Sequence, residues 1–102
     1  MIPYRLTALA EADLRDIFWQ GLELFGPNQT ERYVSELEEH LAYLGQFPDS
    51  SRLRPELDPP VRVHPYGAHV IIYEHDDDAI VVLRIRSARE NWATDPLGRN
   101  EP

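Results

Sequence analysis

The chain has 102 residues and a mass of 11.8 kDa, enough for one domain. Its composition, 42% hydrophobic and 27% charged, fits a folded globular chain and argues against disorder. The absence of cysteine excludes disulfides, thiolate metal sites and cysteine catalysis, and a net charge of −8 counts against a free-standing nucleic-acid binder.

All ten basic residues are arginine. Residues 1–51 hold 3 Arg against 9 acids, and residues 52–102 hold 7 Arg against 9 acids, so cationic groups gather in the second half. No apolar run reaches the roughly 18 residues of a membrane span. The opening Met1-Ile2-Pro3-Tyr4-Arg5 lacks the basic-then-apolar layout of a signal peptide. A cytoplasmic location without a membrane partner is the expectation.

Residues 2–7 predict a short strand, starting at Pro3 or lying at a sheet edge, because Pro3 has no N–H to donate. Thr7 suits a helix N-cap. Ala10, Leu14, Ile17, Phe18, Gly21, Leu22 and Phe25 then recur at spacings of three and four, the stripe of an amphipathic helix. Gly26-Pro27 ends this helix and opens a second. Val34, Leu37, Leu41 and Leu44 form its stripe, and Phe47-Pro48 closes it. So short a link makes the two helices an antiparallel hairpin. Phe18, Leu22 and Phe25 are expected to cement it together with the second stripe.

Residues 48–60 read as a proline-rich connector. Three strands are predicted after it, over 61–64, 69–75 and 79–86, with Tyr66-Gly67 and Asp76-Asp77-Asp78 as turns. Residues 89–102 are polar apart from Trp92 and Leu97 and are expected to fray. The fold class is α+β in the order β-α-α-β-β-β, an antiparallel sheet with a helical hairpin on one face. One domain spans 1–92, followed by a polar tail over 93–102. So small a chain leaves part of the sheet or the hairpin groove uncovered, and exposed apolar surface marks partner sites.

With the elements in place, the sequence resembles the ParE/RelE superfamily of bacterial toxins, and ParE in particular. The resemblance covers about residues 4–92. It rests on Tyr4-Arg5-Leu6-Thr7, Ala10-Glu11-Ala12-Asp13-Leu14 with Ile17 and Trp19, and Phe25-Gly26-Pro27. It continues through Arg32-Tyr33 to Leu37, Phe47-Pro48, Arg54-Pro55-Glu56-Leu57, the run from Tyr66 to Tyr73, and the run from Ile80 to Ile85 with Ala88-Arg89. It implies the toxic half of a type II toxin–antitoxin pair, held as a hetero-oligomer by a ParD-like antitoxin and inhibiting DNA gyrase by protein binding. It implies no cofactor, no metal, no catalytic residue and no sequence-specific nucleic-acid partner.

The runner-up is a RelE-like, ribosome-dependent mRNA endonuclease. Cleavage by the RNA's own 2′-hydroxyl needs a base, an acid and cations around the phosphorane. Here there is no lysine and no tyrosine after Tyr73, leaving Arg62, Arg84, Arg86 and Arg89 with His64, His69 or His75 as candidates by type. The ParE pattern, by contrast, often has a histidine near Ser87-Ala88 that this chain lacks, a departure that bears on the gyrase contact and not on the fold. A third reading keeps the fold and antitoxin binding without toxicity.

The candidate target- or antitoxin-binding residues are Arg62, Arg84, Arg86, Arg89, Trp19, His69 and Tyr73. Strand alternation places Arg84 and Arg86 on the face of Ile80 and Val82. Each arginine forms a cationic patch for acidic partners, or pairs internally with a helix carboxylate such as Asp13 or Asp16. Trp19 packs in the core or receives a partner side chain. Tyr33 and Tyr73 read as core. His64 could approach His69 across the hairpin, whereas His69 and His75 are about 20 Å apart, too far for one metal ion.

Overall fold

The computed structural model describes residues 4–98. In chain order the elements are β1 (Tyr4–Leu6), α1 (Ala8–Phe25), α2 (Pro27–Gln46), a single 3-10 turn (Pro48–Ser50), β2 (Leu53–Arg54), β3 (Val61–Tyr66), β4 (His69–His75) and β5 (Ile80–Ser87). They build an α+β fold: two helices on one five-stranded sheet ordered β1-β5-β4-β3-β2.

The sheet is mixed. β3, β4 and β5 pair antiparallel as expected, and β2, inside the stretch read as a connector, adds an antiparallel edge to β3, whereas β1 lies parallel to β5, with Tyr4 opposite Ile80 and Leu6 opposite Val82. β1 is an edge strand, as Pro3 suggested. The chain turns directly from β1 into α1. The Thr7 N–H donates to the Val82 carbonyl (3.0 Å), its hydroxyl donates to the Leu83 carbonyl (2.8 Å), and the same oxygen accepts from the Ala10 N–H (3.1 Å). One residue thus ends a strand and caps a helix.

Gly26 is the whole link between the helices. Its φ of +80° is costly for residues with a Cβ, and Pro27 sets the first turn of α2. Leu37, Leu41 and Leu44 of α2 are fully buried against Ile71, Tyr73, Ile80, Val82 and Ile85 of the sheet. Each such burial stabilises the fold by about 1.5–3 kcal/mol. α1 sits higher. Ala10 is its only buried residue, and Phe25, expected to cement the hairpin, is exposed.

The far face of the sheet is covered too. Leu57, Val61, Val63, Val70 and Ile72 form a second cluster, and Leu83, Trp92 and Leu97 pack on it. Residues 89–98, expected to fray, therefore fold back over this face, with Pro96 fully buried and Arg54 stacked over the Trp92 ring at 5.5 Å.

A bulge between Ile72 and Tyr73 changes which side chains share a face. Ile72 lies opposite Arg84, but Tyr73 lies opposite Val82, so Leu83 is the extra residue of β5. Beyond it Ile85, not Arg84 or Arg86, continues the inner face of Ile80 and Val82. The strict alternation assumed from sequence fails at this point.

Candidate functional site

The arginines separate into internal and external groups. β1 stops opposite Val82, so the edge of β5 beyond it lacks a strand partner. Asp13 of α1 takes that place: its carboxylate accepts from the Ile85 N–H (2.9 Å) and from Arg84 Nε (2.7 Å) and Nη2 (2.9 Å). Arg84 Nη1 also donates to the Leu97 carbonyl (2.6 Å). Hydrogen bonding to Asp13 raises the Arg84 pKa above its ordinary value, against the opposing effect of burial. Of the two readings held for Arg84, the intramolecular pairing with Asp13 is the one that forms.

Arg86 is 1% exposed. Its Nε and Nη2 donate to Glu90 (3.0 and 2.8 Å), and its Nη1 donates to the Asp95 carbonyl. The returning 89–98 segment encloses it, so it is not a surface patch, because a patch residue must reach solvent. Arg62 donates to the Ser51 carbonyl (2.6 Å) and pairs with Asp49 (3.1 Å), tying β3 to the 3-10 turn. Arg89 is exposed, and its guanidinium has no ion pair or hydrogen bond among the described residues.

Tyr73 is fully buried and donates to the Pro48 carbonyl (2.8 Å), which makes it core rather than contact. His69 is half-buried, with Nδ1 2.7 Å from the Tyr33 hydroxyl. The approach of His64 to His69 does not occur, because the register sets Tyr66 opposite His69 and Ile71 opposite His64. His64 Nε2 instead meets His40 Nε2 at 2.7 Å, and its Nδ1 meets Ser51 Oγ at 2.8 Å. His40 belongs to α2 and carried no helical-stripe signal that pointed to this meeting. Among the described residues, no three His, Asp or Glu side chains gather as metal ligands. The Asp76 carboxylate is used in its own turn, accepting from the Asp78 and Ala79 N–H groups (3.0 and 2.8 Å) and pairing with Arg5.

The contact sets the two imidazole rings 4.7 Å apart, centroid to centroid. Burial, and then His40, lower the His64 pKa below the ordinary imidazole value of about 6.5. Burial lowers that of His69 as well, against the opposing pull of Glu90 and Asp13. Below about pH 6.5 the unfolded chain then binds more protons than the folded one. This contribution to stability is complete above that pH and is lost as pH falls through the window beneath it. The melting temperature should drop between about pH 7.5 and about pH 5.5, and His64→Asn should reduce the drop. A variant that keeps the whole drop would clear His64 of any part in it.

Exposed large apolar side chains gather mostly on α1, with Tyr43, Phe47 and Leu53 exposed beyond it. Trp19 is 63% exposed, with its ring edge-on to Phe18 at 5.7 Å, so the core role favoured for it fails. α1 puts it on the rim, where Trp19, Phe18, Leu14, Leu6 and Val34 line a shallow groove of about 310 Å³. At the other end of the helix, Leu24 is 73% and Phe25 59% exposed. They border a cavity of about 470 Å³ that reaches Tyr33, His69 and Arg89. Of the candidates, His69 and Arg89 therefore share one cavity, Trp19 stands at a separate groove, and Arg62, Arg84, Arg86 and Tyr73 are structural.

The sequence and fold are similar to those of known proteins. The family described as the ParE toxin of the type II toxin-antitoxin system parDE matches residues 4–92. Toxin ParE of Escherichia coli is 44% identical over an alignment of 61 residues that covers 56% of this chain and 59% of that protein. The match thus spans less than two-thirds of that relative's length. Toxin ParE1 of Caulobacter vibrioides is 32% identical over 73 residues, covering 72% of this chain and 76% of that one. A solved structure of the chromosomal ParDE TA system from P. aeruginosa superposes with a TM-score of 0.71 at 26% identity, over 85% of this chain and 96% of its own. A helical hairpin with uncovered apolar flanks on a mixed sheet, over residues that match this family almost throughout, leads to one conclusion: the chain belongs to the ParE toxin family of type II toxin–antitoxin systems.

Proposed function

We propose that the chain acts in the cytoplasm as a toxin that binds and inhibits DNA gyrase, and that a ParD-like antitoxin neutralises it in a hetero-oligomeric complex. The observation that carries this reading is the set of exposed apolar side chains on α1, Leu9, Trp19, Leu24 and Phe25, left open by a chain that covers both faces of its sheet. Large aromatic and aliphatic groups at a groove are the usual anchors of a protein partner. A bound helix or extended arm that covered them would gain the hydrophobic contribution this fold leaves unrealised.

The fate of the charged residues supports binding over catalysis. Arg62, Arg84 and Arg86 are held by internal partners, and His64 is held by His40 and Ser51. Arg89 beside His69 is the pairing of cation and base that keeps RNA cleavage in view, since both line one cavity. The net charge of −8 opposes approach to ribosomal RNA.

Expression without the antitoxin should arrest growth, and co-expression of the antitoxin should restore it. Purified chain should lower gyrase supercoiling and leave ribosome-bound mRNA intact. Cleaved mRNA with normal supercoiling would establish the nuclease instead. Unimpaired growth with antitoxin binding retained would mark a chain that has lost toxicity.

A further inference from the structure

The cavity between the helix-hairpin turn and the β4–β5 end has the features of a small-molecule site. It encloses about 470 Å³, within the range of ligand pockets, and its walls are Ile17, Leu24 and Phe25 with Tyr33, His69 and Arg89. The walls are mainly apolar, and Arg89 brings one unpaired positive charge to them.

Thr30 is the second, independent observation. It lines the same cavity and is 3% exposed, yet its hydroxyl has no hydrogen-bond partner among the described residues. A buried unpartnered hydroxyl is costly and calls for an explanation. Gly21 is what admits it: a Cβ there would stand 2.8 Å from Thr30 Oγ1 and 2.8 Å from Cγ2. The helices close over this hydroxyl and leave it unused. Nearby, the N-terminus of the 20-residue α2 has no side-chain cap and no acidic residue in its first turn, so its partial positive charge is unopposed there.

We propose that this cavity binds a small amphipathic monocarboxylate. The alkyl or aryl body lies against Ile17, Leu24 and Phe25. The carboxylate takes the planar guanidinium fork of Arg89 and, once the floor relaxes, accepts a hydrogen bond from the Thr30 hydroxyl. Arg89 is the one arginine in a wall whose other polar groups, Gln20, Gln29, Tyr33, His69 and Ser87 among them, are not cationic side chains of fixed charge, which favours a single negative charge over a phosphate dianion. The apolar walls separate a filling ligand from a bare anion that would engage Arg89 alone.

The test titrates octanoate into the full chain, read by calorimetry and by backbone amide chemical shifts. Acetate, octanol and inorganic phosphate serve as comparison probes, with Arg89→Gln and Thr30→Val as variants. Octanoate should saturate, with shifts centred on Thr30, Tyr33, His69 and Arg89. Acetate, octanol and phosphate should each bind at least tenfold more weakly. Arg89→Gln should weaken octanoate at least tenfold and Thr30→Val at least threefold, with melting curves showing both variants folded. Absence of saturation, equal binding to Arg89→Gln, phosphate binding as tight as octanoate, or shifts centred on the Trp19 groove would each overturn the site. None of these outcomes depends on gyrase or an antitoxin, so the proposal stands or falls apart from toxicity.

Discussion

Asp13→Ala should destabilise the protein by about 3–5 kcal/mol, a large part of the 5–15 kcal/mol that holds a domain of this size. The carboxylate of Asp13 faces Arg84 in a pair whose side chains are only 15% and 14% exposed, and it also receives the Ile85 N–H. Its removal leaves the Arg84 guanidinium and a strand-edge N–H without their acceptor at once. The lost hydrogen bond to Ile85 also detaches α1 from the stretch of β5 that β1 does not reach. Asp13→Asn should cost less, since its amide oxygen still accepts one bond. Urea unfolding checks both variants through the transition midpoint at constant slope. A shift below about 1 kcal/mol for Asp13→Ala would place this pair with ordinary surface ion pairs.

Charge reversal at Arg86 should be at least as damaging, at more than about 4 kcal/mol, the range reserved for buried charges left without a counterpart. Arg86→Glu would set a second carboxylate against Glu90 and remove the donor to the Asp95 carbonyl, all at a position that is 1% exposed. The 89–98 segment should detach and become sensitive to protease, uncovering the cluster of Val61, Val63, Val70 and Ile72. Arg86→Met keeps the apolar stem and should cost about 1–3 kcal/mol. Loss of toxicity in Arg86→Glu would therefore report unfolding, whereas at the exposed Arg89 the same reversal leaves the fold intact and reports contact. Unchanged stability in Arg86→Glu would show that the returning segment is not held by this residue.

What the sequence made legible is what period and punctuation encode. The 3–4 spacing of Leu37, Leu41 and Leu44 marked the buried face of α2, and Gly26-Pro27 marked the joint. The β-branched runs around Ile71 and Val81 marked the two long strands. Other features depend on meetings between distant residues. The parallel placement of β1 is set by Thr7 bonding to Val82 and Leu83. The bulge at Ile72 and Tyr73 is a matter of register, and it moved Arg84 and Arg86 off the face that alternation gave them.

Trp19 and Phe25 looked like core because an amphipathic stripe does not say how deeply a helix sinks, and α1 rides high with Ala10 alone buried. Arg86 looked exposed because Trp92 and Leu97 gave too sparse a pattern to announce that the chain returns over the sheet. Thr30 could have been noticed: it extends the buried stripe of α2 two turns toward its start, a polar residue where the pattern asks for an apolar one.

The proposed action of the chain is to occupy a protein surface and not to carry out chemistry on a substrate. The most direct measurement is DNA supercoiling by purified gyrase as the purified chain is added. A dose-dependent loss of supercoiling, reversed when the antitoxin is supplied, is the predicted result. Full supercoiling at every toxin concentration, from a preparation that is folded and arrests growth in cells, would contradict it.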